Sequence, residues 1–149
     1  MNFFNENIIY KIPKKDKLRK WLFNAIEKEG KVTGDLNFIL CDDEFLSKLN
    51  YKYLRHKRLT DILTFGYNNE TGLINGDIFI SLPRVRENAT IFKQSLEDEL
   101  HRVMIHGILH LVGYNDKTQN DKIEMKDKEN FYLELFRISK QGDSAQKTS

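Results

Sequence analysis

Apolar residues recur along this chain in two rhythms. Leu18, Trp21, Leu22, Ala25 and Ile26 fall three and four apart, which predicts an amphipathic helix from Pro13 to Glu29, stopped by Gly30. Ahead of it, Phe3, Phe4, Ile8, Ile9 and Ile12 predict an N-terminal strand region ending at Pro13. Between Asp35 and Cys41, Leu36, Phe38 and Leu40 alternate with other residues, a strand pattern. Asp42 or Asp43 then suits the cap of a short helix carrying Phe45, Leu46 and Leu49. Asp61 to Phe65 and Asp77 to Leu82 read as further strands, separated by the turn residues Asn68, Asn69 and Gly72. Pro83 opens a helix with Val85, Ala89 and Phe92. Ser95-Leu96-Glu97-Asp98 resembles a capping box, so a fresh helix runs from Ser95 to Val112 and stops at Gly113. A last amphipathic helix is expected from Thr118 to Ile138. This interspersion predicts an α/β (α+β) fold: a small mixed sheet of about four strands packed with about five helices.

With 149 residues the chain suits one domain, expected over 1–139. The segment 140–149 has no large apolar residue to anchor it and is expected to be a disordered tail. No apolar run is long enough to span a membrane, and the N-terminus lacks the pattern of a secretory signal. The single cysteine, Cys41, permits no internal disulfide and fits a reducing cytoplasm, where a small buried role at a strand end is expected of it. Lys and Arg number 24 against 22 Asp and Glu, which argues against a general polyanion binder and leaves only local clusters to hold nucleic acid.

One string carries chemistry. In HGILHLVGYND, His106 and His110 are four apart on a predicted helix, so both imidazoles leave one face about a turn apart. Gly113 then lets the chain turn sharply enough for Asp116 to come back towards them. Two histidines and a carboxylate fill three positions of a tetrahedral site and leave the fourth for water, the layout of a catalytic zinc. A pair of histidines at this spacing is also compatible with a buried, hydrogen-bonded role, and the spacing alone does not choose. Position 107 is Gly, so the glutamate of an HExxH protease is missing. Glu99 lies seven residues before His106 on the same helix face, either as a solvated surface charge or as a catalytic base. Asp61 and Asp77 sit on predicted strands and either line the cleft or cap turns. His101 falls on roughly the opposite helix face and suits a structural role. The run Lys52-Tyr53-Leu54-Arg55-His56-Lys57-Arg58 is the densest basic cluster, with an aromatic ring beside the charges.

HGILHLVGYND closely resembles the signature H-G-x-L-H-L-x-G-Y-D-H of the YbeY family of bacterial endoribonucleases. Leu49-Asn50 with Tyr53, and Thr60 to Phe65, resemble that family's LNxxY and TDVLSF segments, and Gly76 to Ser81 resembles its GDIxIS. The resemblance implies a metal-dependent endoribonuclease acting on single-stranded RNA, in particular the 3′-end maturation of 16S ribosomal RNA, with the ribosome's small subunit as partner. It implies metal ligation by His106, His110 and the residue at 116, which the family usually fills with histidine and this chain fills with aspartate. Asn115 stands where the family has aspartate, and Leu54 where it commonly has arginine, with Arg55 adjacent. A carboxylate ligand partly offsets the charge of the metal, so bound water is acidified less than in a three-histidine site, and manganese competes better with zinc. One ion per chain, catalysis by His106, His110, Asp116, Glu99 and Asp61, and RNA contacts from Lys52, Tyr53, Arg55, Lys57 and Arg58 are the expectations. Neither DNA nor a membrane is expected as a partner. Two rival readings are a metal-dependent hydrolase of another substrate, including peptides, and a non-catalytic ribosome-assembly factor braced by a structural metal.

Overall fold

Strand residues of alternating character build a sheet whose two faces have different tasks. The computed structural model describes residues 1–54, 60–67 and 71–148, with side chains described up to Ser139. The element order is β1 (Asn2–Glu6), α1 (Lys15–Lys28), β2 (Val32–Cys41), α2 (Asp43–Leu54), β3 (Ile62–Gly66), β4 (Leu73–Ser81), α3 (Leu82–Ile91), α4 (Leu96–Val112) and α5 (Gln119–Thr148). The sheet runs β1-β2-β4-β3, with β1, β2 and β4 parallel and β3 antiparallel to β4. Four strands, mixed pairing and five helices among the described residues match the α+β expectation.

One face carries Leu36, Phe38, Leu40, Ile74, Ile78 and Ile80 into the main core, where α1, α4 and α5 cover it. The opposite face is smaller. There Cys41 and Leu63, with Phe65 and Phe79, receive Leu46, Phe45 and Leu49 of α2. Cys41 is fully buried, and burial, with the nearby Asp42 charge, pushes its thiol up to about 12, which suits packing rather than reactivity.

Several boundaries differ from the sequence-based expectation. The N-terminal strand ends at Glu6, because Asn7 turns into the left-handed region (φ 60) and Ile9 stands wholly in solvent. Strand β4 begins at Leu73 rather than Asp77. Pairing of Leu73 and Ile74 with Val32 and Thr33 of β2 extends it back through Gly76 and Asn75, which interrupt the apolar alternation. Helix α2 is capped by Asp42, whose Oδ1 accepts the Phe45 N–H at 2.8 Å. Thr118 and Asp121 cap α5 reciprocally, each accepting the other's backbone N–H, and its backbone continues beyond the expected end at Ile138. The disordered tail expected over 140–149 falls where side chains lie outside the described residues.

Helix α4 is the central element and its ends are well defined. Ser95 Oγ accepts the Asp98 N–H at 3.0 Å, as the capping-box pattern predicts. At the other end Gly113 adopts φ 127, and the N–H groups of Gly113 and Tyr114 close back on the carbonyls of His110 (3.1 Å) and Leu109 (2.9 Å). This Schellman closure requires a left-handed residue after the helix, the position glycine fills without Cβ strain. Midway, Gly107 meets the sheet. A Cβ there would lie 3.0 Å from Ile62 Cδ1 and from Ile78 Cγ2, so the helix approaches β3 and β4 as closely as its backbone allows. Gly107→Val is expected to cost about 1–3 kcal/mol through overpacking. A lowered urea midpoint at unchanged slope would register this, and a wild-type midpoint would contradict the close approach.

Candidate metal centre

The two histidines project from the last turns of α4, where the helix leaves the core, and the turn after Gly113 returns the chain to them. His106 Nε2 and His110 Nε2 lie 3.0 Å apart, His110 Nε2 and Asp116 Oδ2 3.3 Å, and His106 Nε2 and Asp116 Oδ2 3.7 Å. Each imidazole keeps about a quarter of its side chain accessible and Asp116 is exposed, so the group opens to solvent on one side.

The far ring nitrogens decide what these three atoms can do. His106 Nδ1 lies 2.7 Å from Glu129 Oε2, and His110 Nδ1 lies 3.1 Å from the Tyr114 carbonyl oxygen. Both partners are acceptors, so each Nδ1 carries the hydrogen, and in the neutral rings each Nε2 presents a lone pair. Two lone pairs and a carboxylate oxygen therefore converge on one point, an arrangement that calls for a cation. An ion bound at about 2.0–2.1 Å in tetrahedral geometry separates its donors by about 3.4 Å. The three observed separations bracket that value, and the donor set fits a divalent metal with a fourth position open.

Without metal, a proton relieves the same crowding. Burial pulls the His106 imidazole down, but the Glu129 hydrogen bond and charge, with Asp116 and Asp61 behind them, outweigh it and hold His106 above its ordinary value. Glu129 itself is only 7% exposed and divides its oxygens, Oε2 to His106 and Oε1 to Arg102 Nη1 at 2.8 Å. Arg102 Nη2 donates to Asn130 Oδ1 at 2.7 Å, completing a planar clamp.

A hollow of about 200 Å³ adjoins His106, and Asp61, Glu99, Arg102 and Glu129 share its wall. Burial pushes both the Asp61 and the Glu99 carboxyls up. The Asp61 carboxyl is drawn back by its own backbone N–H and by His106, that of Glu99 by Arg102, and neither is drawn back fully. Glu99, 5% exposed, is therefore no solvated surface charge. Carboxyls shifted towards neutrality beside a reaction centre are suited to moving protons. Asp77 lies elsewhere. It shares the Phe79 face of β4, away from α4, and accepts from Asn37 Nδ2 and Tyr67 OH, both at 3.1 Å. His101 is buried with its ring 4.5 Å from that of Phe136, on the core side of α4. Lys52 and Tyr53 end α2 in solvent, the Tyr53 ring set edgewise against Phe65, also away from the histidines. Arg55, His56, Lys57 and Arg58 lie outside the described residues.

Three supporting residues escaped the sequence reading. Glu129 sits in the apolar stripe of α5 among Met125, Tyr132, Leu133 and Phe136, and a carboxylate in a buried stripe signals a partner. Arg102 precedes His106 by one turn on the same face. Glu29 left no signal. Its nearly buried carboxylate accepts from Tyr114 OH at 2.6 Å, from Tyr132 OH and from Lys128 Nζ at 3.2 Å. Burial alone raises Glu29, yet these donors hold its carboxyl below the ordinary value. The network pins Tyr114, whose carbonyl orients His110.

Fold and donor group together define a class: a small α+β protein with a three-donor, one-side-open group suited to a divalent cation at the end of its central helix. Comparison with known proteins narrows it. The family model described as Endoribonuclease YbeY matches residues 2–137. The Endoribonuclease YbeY of Amoebophilus asiaticus is 45% identical over 136 residues, 91% of this chain and 92% of that protein. That of Christiangramia forsetii is 44% identical, covering 93% of this chain and 95% of the relative. A Thermotoga maritima protein solved in solution superposes with a TM-score of 0.67 at 30% identity, covering 98% of this chain and 95% of its own. The chain belongs to the YbeY endoribonuclease family.

Two outcomes follow from the His106–Glu129 pair. Glu129→Gln is expected to weaken metal binding about 10- to 100-fold, read by competition against a chromophoric chelator; unchanged affinity would remove Glu129 from this role. In the metal-free protein the raised His106 pKa means that the folded chain holds its proton more tightly than the unfolded chain. That stabilisation is complete below about pH 6.5 and is lost as pH rises through the folded-state value. The urea midpoint of metal-free protein should fall from about pH 6 to about pH 8, and Glu129→Gln should flatten the decline.

Proposed function

We propose that this chain is a metal-dependent endoribonuclease cutting single-stranded RNA, with His106, His110 and Asp116 holding one divalent ion. The observation that carries the assignment is the convergence of three acceptor atoms at 3.0, 3.3 and 3.7 Å while both Nδ1 atoms are committed elsewhere. A bound divalent ion supplies Lewis acidity towards a phosphoryl oxygen and acidifies water for attack on it. Glu129 holds the His106 ring and the Tyr114 carbonyl holds that of His110, so both Nε2 atoms are aimed before any ion arrives. Asp61 and Glu99 are the carboxyls we assign to proton transfer during phosphodiester cleavage, with Arg102 beside them as a fixed positive charge.

Zinc is the ion we assign, since two imidazoles and a carboxylate match its usual donors; the carboxylate at 116 also leaves the site open to manganese. The substrate we assign is ribosomal RNA, at the 3′ end of the small-subunit RNA, with the small ribosomal subunit as partner and the cytoplasm as location. Family membership supports this reading. The basic run from Lys52 to Arg58 would add phosphate contacts that any RNA sequence can use.

Metal analysis and a nuclease assay on the same purified samples test the mechanism. His110→Ala and Asp116→Ala are each expected to lose bound metal and at least about 100-fold of RNA cleavage, while wild type spares a peptide substrate. Full cleavage by both purified variants would end the mechanism, and wild-type metal with no cleavage would favour a bracing metal.

A further inference from the structure

We infer that the cavity of about 540 Å³ beside the histidine group is a nucleotide subsite for single-stranded RNA, with the Phe92 ring as stacking platform and Lys122 and Lys126 as phosphate contacts. The inference rests on the endoribonuclease reading and adds to it the residues that hold the strand. His106 and Asp116 form part of the cavity wall, so a chain lying in this space brings a phosphate to the donor group. Its volume lies within the ~300–1,000 Å³ of small-molecule sites, enough for one nucleotide.

The lining has the parts such a ligand needs. Phe92 is 59% exposed, a large ring in solvent beside the buried Met125, and every nucleobase has a face that can lie on it. Backbone bonds fix the chain from which that ring projects. Phe92 N–H closes on the Asn88 carbonyl at 2.8 Å and Gln94 N–H on that of Ala89 at 2.8 Å, with Lys93 between them in the left-handed region at φ 56. Phe92 is the C-cap of α3, and Lys93 takes the left-handed position that closes the helix end. Gln94 brings an amide that can both donate to and accept from a base edge. Lys122 and Lys126 stand one turn apart on α5 and face the same space, exposed, with no ion-pair partner among the described residues. The cavity's buried carboxylates, Glu99 and Glu129, lie beside Arg102, and its exposed carboxylate, Asp116, belongs to the donor group, which leaves the two lysines as the exposed positive charges of the wall. A base lies flat on a ring only when it is unstacked, which selects single strands over duplex.

The experiment uses zinc-loaded full-length protein and a single-stranded RNA 12-mer carrying one 2-aminopurine, whose emission falls when it stacks. Phe92→Ala is expected to raise KM for cleavage about tenfold with kcat little changed, and to abolish the quenching. Phe92→Trp should restore both. The Lys122→Ala, Lys126→Ala double variant should lower the slope of log affinity against log salt by about 1.4. Unchanged KM and quenching in Phe92→Ala, with metal content and melting temperature as in wild type, would overturn the subsite. Failure of the wild type to cleave would defeat the endoribonuclease reading instead, and the quenching would still decide whether Phe92 stacks a base.

Discussion

Helix α4 lies against the sheet at Gly107, and most of the molecule is arranged by that contact. Without a Cβ at this point the helix backbone sits directly over Ile62 and Ile78, and α1 and α5 close round its other flanks. A helix gripped this firmly cannot shift along its axis, so the last turns that emerge from the core carry His106 and His110 at a fixed height. Stability and site geometry therefore come from one packing event. A catalytic group on a core helix is held more narrowly than one on a loop.

Electrostatics then decide what that fixed height is for. Both imidazoles have their Nδ1 hydrogens drawn away, one by a buried carboxylate and one by the carbonyl that follows the Schellman turn. The resulting crowd of lone pairs is unfavourable until a cation enters. The same carboxylates hold the His106 imidazole above its ordinary value, so a metal ion and a proton would compete for that ring. The Glu129–Arg102 pair tunes this competition from one side. On the other, the buried Glu29 network holds Tyr114 and through it the Gly113 turn. Aspartate at 116 is the exposed member, and its carboxylate oxygen comes within 3.3 Å of His110 Nε2 from a mobile class of position, a loop just after a helix end.

Charge is distributed around the centre in layers. Deepest are Asp61 and Glu99, raised by burial; next is the Glu129–Arg102 clamp; outermost are the lysines of α5 and the Phe92 ring. On the proposed reading, a polyanion meets the lysines at the outside, beside the exposed Asp116 of the donor group, and the raised carboxyls deeper in. Because the total charge of the chain is nearly balanced, local clusters rather than bulk charge have to supply any affinity for RNA.

Much of this was legible along the chain. Local rules suffice for a cap, a stop glycine and a helical pair four apart, so the bounds of α4 and the facing of His106 and His110 were readable from residues 95 to 113. The motif order from Leu49 to Asp116 was enough for the family. Other features depend on elements distant in sequence. Pairing with the start of β2 extends β4 to Leu73, and the exit of Asn7 from extended backbone leaves Ile9 in water; neither follows from apolar alternation. Asp61 and Asp77 look alike along the chain, but Asp61 lies just before β3, outside its alternation, and reaches the hollow beside α4, whereas Asp77 within β4 shares the Phe79 face. Glu99 reads along the chain as readily as a surface charge, and its place beside Asp61, Arg102 and Glu129 is what buries it. The sequence by itself determined that two imidazoles share a face and that the chain turns back after Gly113, because helix periodicity and backbone sterics are local. Tertiary structure alone decided that Glu129 and the Tyr114 carbonyl hold their Nδ1 hydrogens, since the packing of α5 on α4 and the closure of the turn put the acceptors there.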